Sequence, residues 1–225
     1  MCPARATDAT FRAHDLLWIG DPRDVRSTSP VPAWATRKWL TLAPVVVRRE
    51  TVVDDAMVPV GLRGHERSER FAASVPRERV QRHVTPESLA QARTWRRHAG
   101  FAQLPCVSAL NRVAPELDRL QLTWGITGSV GFALASGIST VRQDSDLDLL
   151  LRTAKPLSRD DARSILSVLQ GAGAHVDMQV DTGDAGFALA EWAGLADRVL
   201  LKTGQGPTLV ANPWANHAPS LSQTS

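Results

Sequence analysis

The chain has 225 residues, enough for one large domain or two small ones. Hydrophobic residues make up 43% of it, which supplies a core and excludes a low-hydrophobicity disordered chain. The net charge of +3 is too mild for a general polyanion binder, and no run approaches the roughly 20 apolar residues of a membrane span, so neither nucleic acid nor membrane is an expected partner.

The charge is unevenly placed. Residues 61–100 carry nine arginines against four glutamates, whereas residues 121–185 carry eight aspartates against five Lys and Arg. The two cysteines, Cys2 and Cys106, fit neither a metal knuckle nor a disulfide framework. The first twenty residues show no apolar stretch after a basic start, so no secretory signal is expected and a cytoplasmic protein is.

In chain order, residues 1–13 are polar. "HDLLWI" reads as a short strand or a turn of helix, and "DPRDVRSTSPVPAW" as a loop. "APVVVRRE" and "MVPVGLRG" are β-branched runs that predict strands. "RSERFAASVP" predicts a helix. "TPESLAQARTWRRHAG" predicts another, opened by Thr85 and Pro86 and closed by Gly100, with Arg96, Arg97 and His98 in its last turn. "LPCVSALNRVAPELDRL" predicts a helix interrupted near Pro115. "TWGITGS" reads as a strand running into a glycine turn, and "VGFALASG" as a helix of small residues stopped by Gly137.

"DLDLLLR" predicts the next strand, and "SRDDARSILSVLQGAG" an amphipathic helix capped by Ser158. "HVDMQVD" alternates, with Val176, Met178 and Val180 on one face and Asp177, Gln179 and Asp181 on the other. "FALAEWAGLA" predicts a helix, and "RVLLKT" and "GPTLVANP" short extended pieces. The fold class is therefore α+β. A small mixed N-terminal accessory domain, 1–90, precedes a domain over 91–215 with a mixed sheet flanked by helices. Residues 216–225 are a polar tail.

The chemistry concentrates in "GSVGFALASGISTVRQDSDLDLLLR". Asp146 and Asp148 sit two apart on a strand, so their carboxylates share a side while Leu147, Leu149 and Leu151 anchor the other. Like charges so close repel unless a cation sits among them. Two carboxylates at this spacing can converge on Mg²⁺, and Asp177 on a neighbouring strand would add a third. Asp144 is loop polarity or an outer-shell group. Gly128 and Ser129 follow a strand and open a helix, where free backbone N–H groups and a small side chain make a seat for phosphate. Lys202, at a strand end before a glycine loop, is a candidate to steady a leaving pyrophosphate. Arg152 and Arg63, the latter in "VGLRG" at a site mouth, are further candidate substrate-binding cations. The seven tryptophans offer candidates for adenine stacking without singling one out.

A Gly-Ser step, an Asp-x-Asp strand and a third acidic residue on a later strand resemble the polymerase-β-type nucleotidyltransferase superfamily. The match lies in Gly128-Ser129, Asp146-Leu147-Asp148 and Asp177. Longer stretches, "VPVGLRGHERSERFA", "ALNRVAPELDRLQLTWGITGSVGFALASG", "SDLDLLLR", "VDMQVDT", "FALAEWA" and "RVLLKTGQGPTLVANPW", resemble the malonate decarboxylase holo-[acyl-carrier-protein] synthase, or phosphoribosyl-dephospho-CoA transferase, family from His14 to Trp214.

That resemblance implies a reaction. The phosphoribosyl-dephospho-CoA moiety of 2′-(5″-triphosphoribosyl)-3′-dephospho-CoA passes to a serine of the apo acyl carrier subunit of malonate decarboxylase, and pyrophosphate leaves. Asp146 and Asp148 would hold Mg²⁺, and Asp177 would accept the serine proton or bind a second metal. Carrier proteins are acidic, so the arginines of 61–100, Arg93 and Arg97 among them, form a candidate docking surface. Two rivals stay open from the residues alone: a same-fold enzyme using an NTP, and a non-catalytic nucleotide- or protein-binding module.

Overall fold

The alternation of one short strand links two hydrophobic cores. The structure is a computed structural model that describes residues 10–51, 53–97 and 100–215; the expectations for the extreme N-terminus, the polar tail and His98 lie outside the described residues. In β1 (Leu16–Trp18), Leu17 and the following Ile19 point into one core, while Leu16 and Trp18 point into the other.

The first core lies under a five-stranded antiparallel sheet. β1 is joined there by β2 (Val45–Val47), β3 (Met57–Arg63), β4 (Arg70–Pro76) and β5 (Arg82–Val84), in the order β4-β3-β2-β1-β5. A short helix, α1 (Arg37–Leu42), is capped by the Thr36 hydroxyl and adds Trp39 and Leu40 to this core. β4 corrects an expectation. "RSERFAASVP" forms no helix, because Arg70–Pro76 pairs along its whole length with β3. Its Ala73 and Val75 are buried at a spacing of two, and this cross-strand burial outweighs the helix preference of the alanines.

The second sheet has six strands, in the order β11-β10-β9-β8-β7-β6. They are β6 (Trp124–Ile126), β7 (Leu147–Arg152), β8 (Val176–Asp181), β9 (Ala185–Ala188), β10 (Val199–Thr203) and β11 (Gly206–Val210). Only β7 and β8 run parallel, joined by α5 (Arg159–Gln170), which the Ser158 hydroxyl caps at Asp161 N. The expected helix in "FALAEWAGLA" divides instead. Phe187 is fully buried on β9, and only Leu189–Ala193 turns into a helix, α6.

Two further helices depart from expectation. α2 (Pro86–Ala92) stops eight residues before Gly100, because Arg93 takes a left-handed conformation (φ 52°) and Thr94–Arg97 tighten into a 3-10 turn. α3 (Pro105–Arg119) runs straight through Pro115. Proline removes one backbone hydrogen bond there, but burial of Val113, Ala114 and Leu117 holds the helix together. Cys106 is buried at the start of α3. Among the described residues, no helix is long and apolar enough to cross a membrane.

α4 (Gly128–Ser136) is wedged between the sheets and stopped by Gly137 at φ 74°. Its Val130 and Ala133 enter the core of the six-stranded sheet, and its Phe132 enters the core of the other. A buried ion cluster bolts the same seam. Arg152, at the end of β7, donates to Asp15, Glu87 and Asp181 at 2.9–3.1 Å and also to the Ala13 carbonyl. Arg49 holds the second oxygen of Asp181 at 2.8 Å, and His83 lies 2.8 Å from Asp15. Burial alone would raise the Asp15 pKa, but hydrogen bonds from His83, the Arg12 N–H and Arg152 outweigh it, so the carboxyl titrates below its ordinary value.

Candidate functional site at the seam between the sheets

The start of α4 is the centre of the site. Gly128 has φ +60°, a conformation that glycine adopts without cost, and Thr127 caps the helix with no side-chain hydrogen bond. The Thr127 N–H is instead tied to the Asp148 carbonyl at 2.9 Å, which fixes the helix start against β7. The Asp148 side chain folds over Gly128 so closely that a β-carbon there would lie 1.8 Å from Oδ2.

Asp146, Asp148 and Asp177 come together as the sequence spacing implies. Asp148 and Asp177 are direct register partners on the parallel strands β7 and β8. His175 Nδ1 stands 3.3 Å from Asp146 and 3.9 Å from Asp177. Burial raises the Asp148 pKa, and the charges of Asp177 and Asp146 raise it further, against opposition from Arg63 and His175.

Two concavities meet at this point. An apolar cavity of about 540 Å³ runs between the sheets, with Leu16, Val46, Leu62, Phe71, Ile126 and Phe132 among its walls. A polar cleft of about 240 Å³ adjoins it, lined by Asp144, Asp146 and Asp148 together with Arg63, Arg67, Arg70 and Arg142. Gly128, Arg63 and Arg70 belong to both. Ser129 and the loop residues Ser139, Thr140 and Ser145 complete the polar side.

Arg63 is held from two directions. Its carbonyl accepts the Trp39 indole N–H at 2.7 Å, and its guanidinium lies 5.0 Å over the Phe132 ring. Burial, then the neighbouring Arg70 and Arg67 charges, lower its pKa to about 10, with Asp148 opposing. Arg63 lines both concavities.

Arg152 does not. Its donors are spent on Asp15, Glu87, Asp181 and the Ala13 carbonyl, and its side chain is 7% exposed, so it cannot reach a substrate in the cleft. Lys202 lies at the opposite end of the sheet. It pairs with Gly186, which pairs with Asp181, four residues along β8 from Asp177, or about 13 Å along the strands. Among the arginines of 61–100, two are engaged within the fold. Arg93 bonds to Asp118 and lies over Trp95 and Trp124, and Arg82 covers Trp18. None of the tryptophans is among the described residues lining the apolar cavity, whose aromatic walls are Phe71 and Phe132. Phe71, Phe132 and His175 were not singled out by the sequence, and Arg67 and Arg70 only as members of the candidate docking surface of 61–100. The "xDx" flank of His175 and the Arg-x₂-Arg spacing of 67 and 70 were the signals available.

Among the described residues, no group of three His, Cys, Asp or Glu side chains is disposed to hold a metal ion. Asp146 and Asp148 both line the polar cleft, which puts a pair of hard oxygen donors in it.

The site thus has two adjoining parts, one mostly apolar and one charged. The chain belongs to the phosphoribosyl-dephospho-CoA transferase family. Residues 12–86 match the family model "Phosphoribosyl-dephospho-CoA transferase MdcG N-terminal domain", and residues 88–213 match "Phosphoribosyl-dephospho-CoA transferase MdcG C-terminal domain". A phosphoribosyl-dephospho-CoA transferase of Pseudomonas putida (strain GB-1) is 44% identical over 204 residues, covering 91% of this chain and 95% of the relative. Proteins of the same name from Azotobacter vinelandii and Pseudomonas aeruginosa are 42% and 40% identical, each over 89% of this chain and 93% and 92% of their own. No solved structure matches the chain.

Proposed function

We propose that this chain transfers the phosphoribosyl-dephospho-CoA unit of 2′-(5″-triphosphoribosyl)-3′-dephospho-CoA to a serine of the apo acyl carrier subunit of malonate decarboxylase, in the cytoplasm, with release of pyrophosphate. The observation that carries this reading is the junction at Gly128 and Arg63, where the apolar cavity opens into the charged cleft. The donor has the same two-part character: a long body of adenosine and pantetheine, and a triphosphate at the far end of its extra ribose. The likeness to phosphoribosyl-dephospho-CoA transferases supports the identity of the transferred group.

In the reaction, the serine oxygen bonds to the phosphorus nearest the ribose. The bond from that phosphorus to the bridging oxygen breaks, and pyrophosphate leaves with the electron pair. The serine proton needs an acceptor at the site. Asp177, which stands beside Asp148 in register and is not one of the two side chains assigned to the metal, is the candidate for that role. Asp146 and Asp148 are the side chains that would hold Mg²⁺; when bound, the ion offsets the repulsion among the carboxylates and the triphosphate and stabilises charge on the transferred phosphoryl group. Arg63 offers a second, fixed positive charge at the same point. The apolar walls would hold the non-reacting body of the donor, so that its binding energy aligns the phosphate for attack.

The test is pyrophosphate release with Mg²⁺ and apo carrier, from either the CoA derivative or ATP. The reading requires rapid, carrier-dependent release from the CoA derivative and little from ATP, which lacks the pantetheine arm. Release from ATP alone would instead favour an NTP-using enzyme of the same fold.

A further inference from the structure

The tip of the β3–β4 hairpin carries a charge arrangement that the fold itself does not favour. Arg63 and Arg70 are direct cross-strand partners, the last pair of the hairpin, and like charges directly opposite destabilise a sheet. Arg67 stands in the loop between them, and its charge lowers the pKa of both, after the larger effect of burial. The loop is closed tightly, with the Gly64 N–H donating to the Glu69 carbonyl at 3.0 Å and the Glu69 carboxylate accepting the Glu66 N–H at 2.9 Å.

Other arginines around the seam are committed to carboxylates: Arg48 to Glu50, Arg49 to Asp181, Arg142 to Glu66, and Arg152 to three acids. Among the described residues, Arg63, Arg67 and Arg70 make no ion pair within 4.0 Å, yet all three line the same cleft as Asp144, Asp146 and Asp148. Three mutually repelling, unpaired guanidiniums facing a cleft of about 240 Å³ form a receptor for a compact polyanion.

We infer that Arg63, Arg67 and Arg70 are the seat of the pyrophosphate leaving group, supplied by the N-terminal sheet across the seam from the carboxylates. This deepens the proposed function and rests on it. Bond breaking places the new negative charge on the departing bridging oxygen and its two phosphates. Guanidinium groups already positioned there stabilise that charge more in the transition state than in the ground state. The role is one that the sequence reading gave to Lys202, which lies at the far end of the sheet.

The experiment titrates inorganic pyrophosphate with Mg²⁺, and separately dephospho-CoA, into the wild type, Arg67→Gln, Arg70→Gln and the double variant. Arg67→Gln changes an exposed loop residue and keeps the test available if a strand variant folds poorly. Pyrophosphate affinity should fall about tenfold for each substitution, the loss expected of one charge-assisted contact. Dephospho-CoA affinity should stay within about twofold, as for a separate site. The melting temperature of Arg70→Gln should hold or rise, since a repulsive pair is removed, which a merely structural arginine would not give.

Unchanged pyrophosphate affinity in the double variant would overturn the assignment. So would an equal loss of both ligands. A raised KM for the carrier with unchanged pyrophosphate binding would make the hairpin tip a protein-docking patch instead. Wild-type protein that binds pyrophosphate through these arginines but transfers nothing to the carrier would leave the subsite standing and remove the proposed reaction.

Discussion

Asp148 occupies the space that a side chain on Gly128 would need: a β-carbon at 128 would lie 1.8 Å from Oδ2 and 2.6 Å from the carboxyl carbon. Gly128→Ala must therefore displace the carboxylate, and it also forces an alanine into φ +60°. Transfer should fall by about 100-fold or more, the penalty for a reacting group moved by about 1 Å. The left-handed strain adds about 1 kcal/mol of instability. Steady-state transfer rates and a thermal melt on the same sample check both; wild-type turnover in a folded Gly128→Ala protein would detach Asp148 from catalysis.

Arg152 should prove structural. Removing it by Arg152→Met leaves Asp15, Glu87 and Asp181 buried with their main cation gone. Breaking a buried ion cluster in this way costs about 3–5 kcal/mol. Denaturant unfolding should show that loss. Lys202→Ala, at an exposed position remote from the carboxylates, should change stability by no more than about 0.5 kcal/mol and leave transfer intact.

His14 ties stability to pH. Burial, and then the charge of Arg49, lower its pKa from 6.5 to about 4, with Arg152 and Lys202 acting in the same direction and Asp181 against it. Between these two values the unfolded chain holds a proton that the folded chain does not. Stability is therefore full above about pH 6.5 and declines as pH falls towards 4, by up to about 3 kcal/mol, less any screening by water at this partly buried ring. His14→Asn suits the left-handed backbone at φ 73° and removes the titration. Unfolding free energies across that window should be flatter in the variant; identical slopes would contradict the assignment.

The aspartates give a prediction for metal. Asp146→Asn and Asp148→Asn keep the shape of each side chain but not the charge that suits Mg²⁺. Each should retain the wild-type melting temperature to within a few degrees and lose most Mg²⁺-dependent transfer, and isothermal titration should show weakened Mg²⁺ binding in the presence of pyrophosphate. Full activity with Mg²⁺ as the only divalent ion would remove these residues from the metal site.

The parts of the site legible in the sequence were those set by local periodicity. Alternation on "DLDLLLR" put Asp146 and Asp148 on one side, and "HVDMQVD" put Asp177 opposite an apolar face; β7 and β8 then paired with Asp148 beside Asp177. Gly128 and Gly137 marked both ends of α4. What local pattern could not reveal was partnership across the chain. Arg152 looks like a free cation next to an acidic strand until Asp15 and Glu87, more than sixty residues away in sequence, fold onto it. Phe187 and Ala188 read as the start of a helix because Ala, Leu and Glu follow, yet pairing of β9 with β8 claims them. Arg67 and Arg70 read as part of a helix and of a candidate docking surface; as a hairpin tip they line the cleft.

The central claim, transfer of an intact prosthetic group at this seam, is tested most directly by weighing the carrier. Apo carrier subunit incubated with this protein, Mg²⁺ and 2′-(5″-triphosphoribosyl)-3′-dephospho-CoA should gain the mass of one phosphoribosyl-dephospho-CoA unit on one serine. A carrier with that serine replaced by alanine should gain nothing, and neither should wild-type carrier incubated with Asp148→Asn protein. A carrier of unchanged mass with the wild-type protein, or the same gain with the Asp148→Asn protein, would contradict the account.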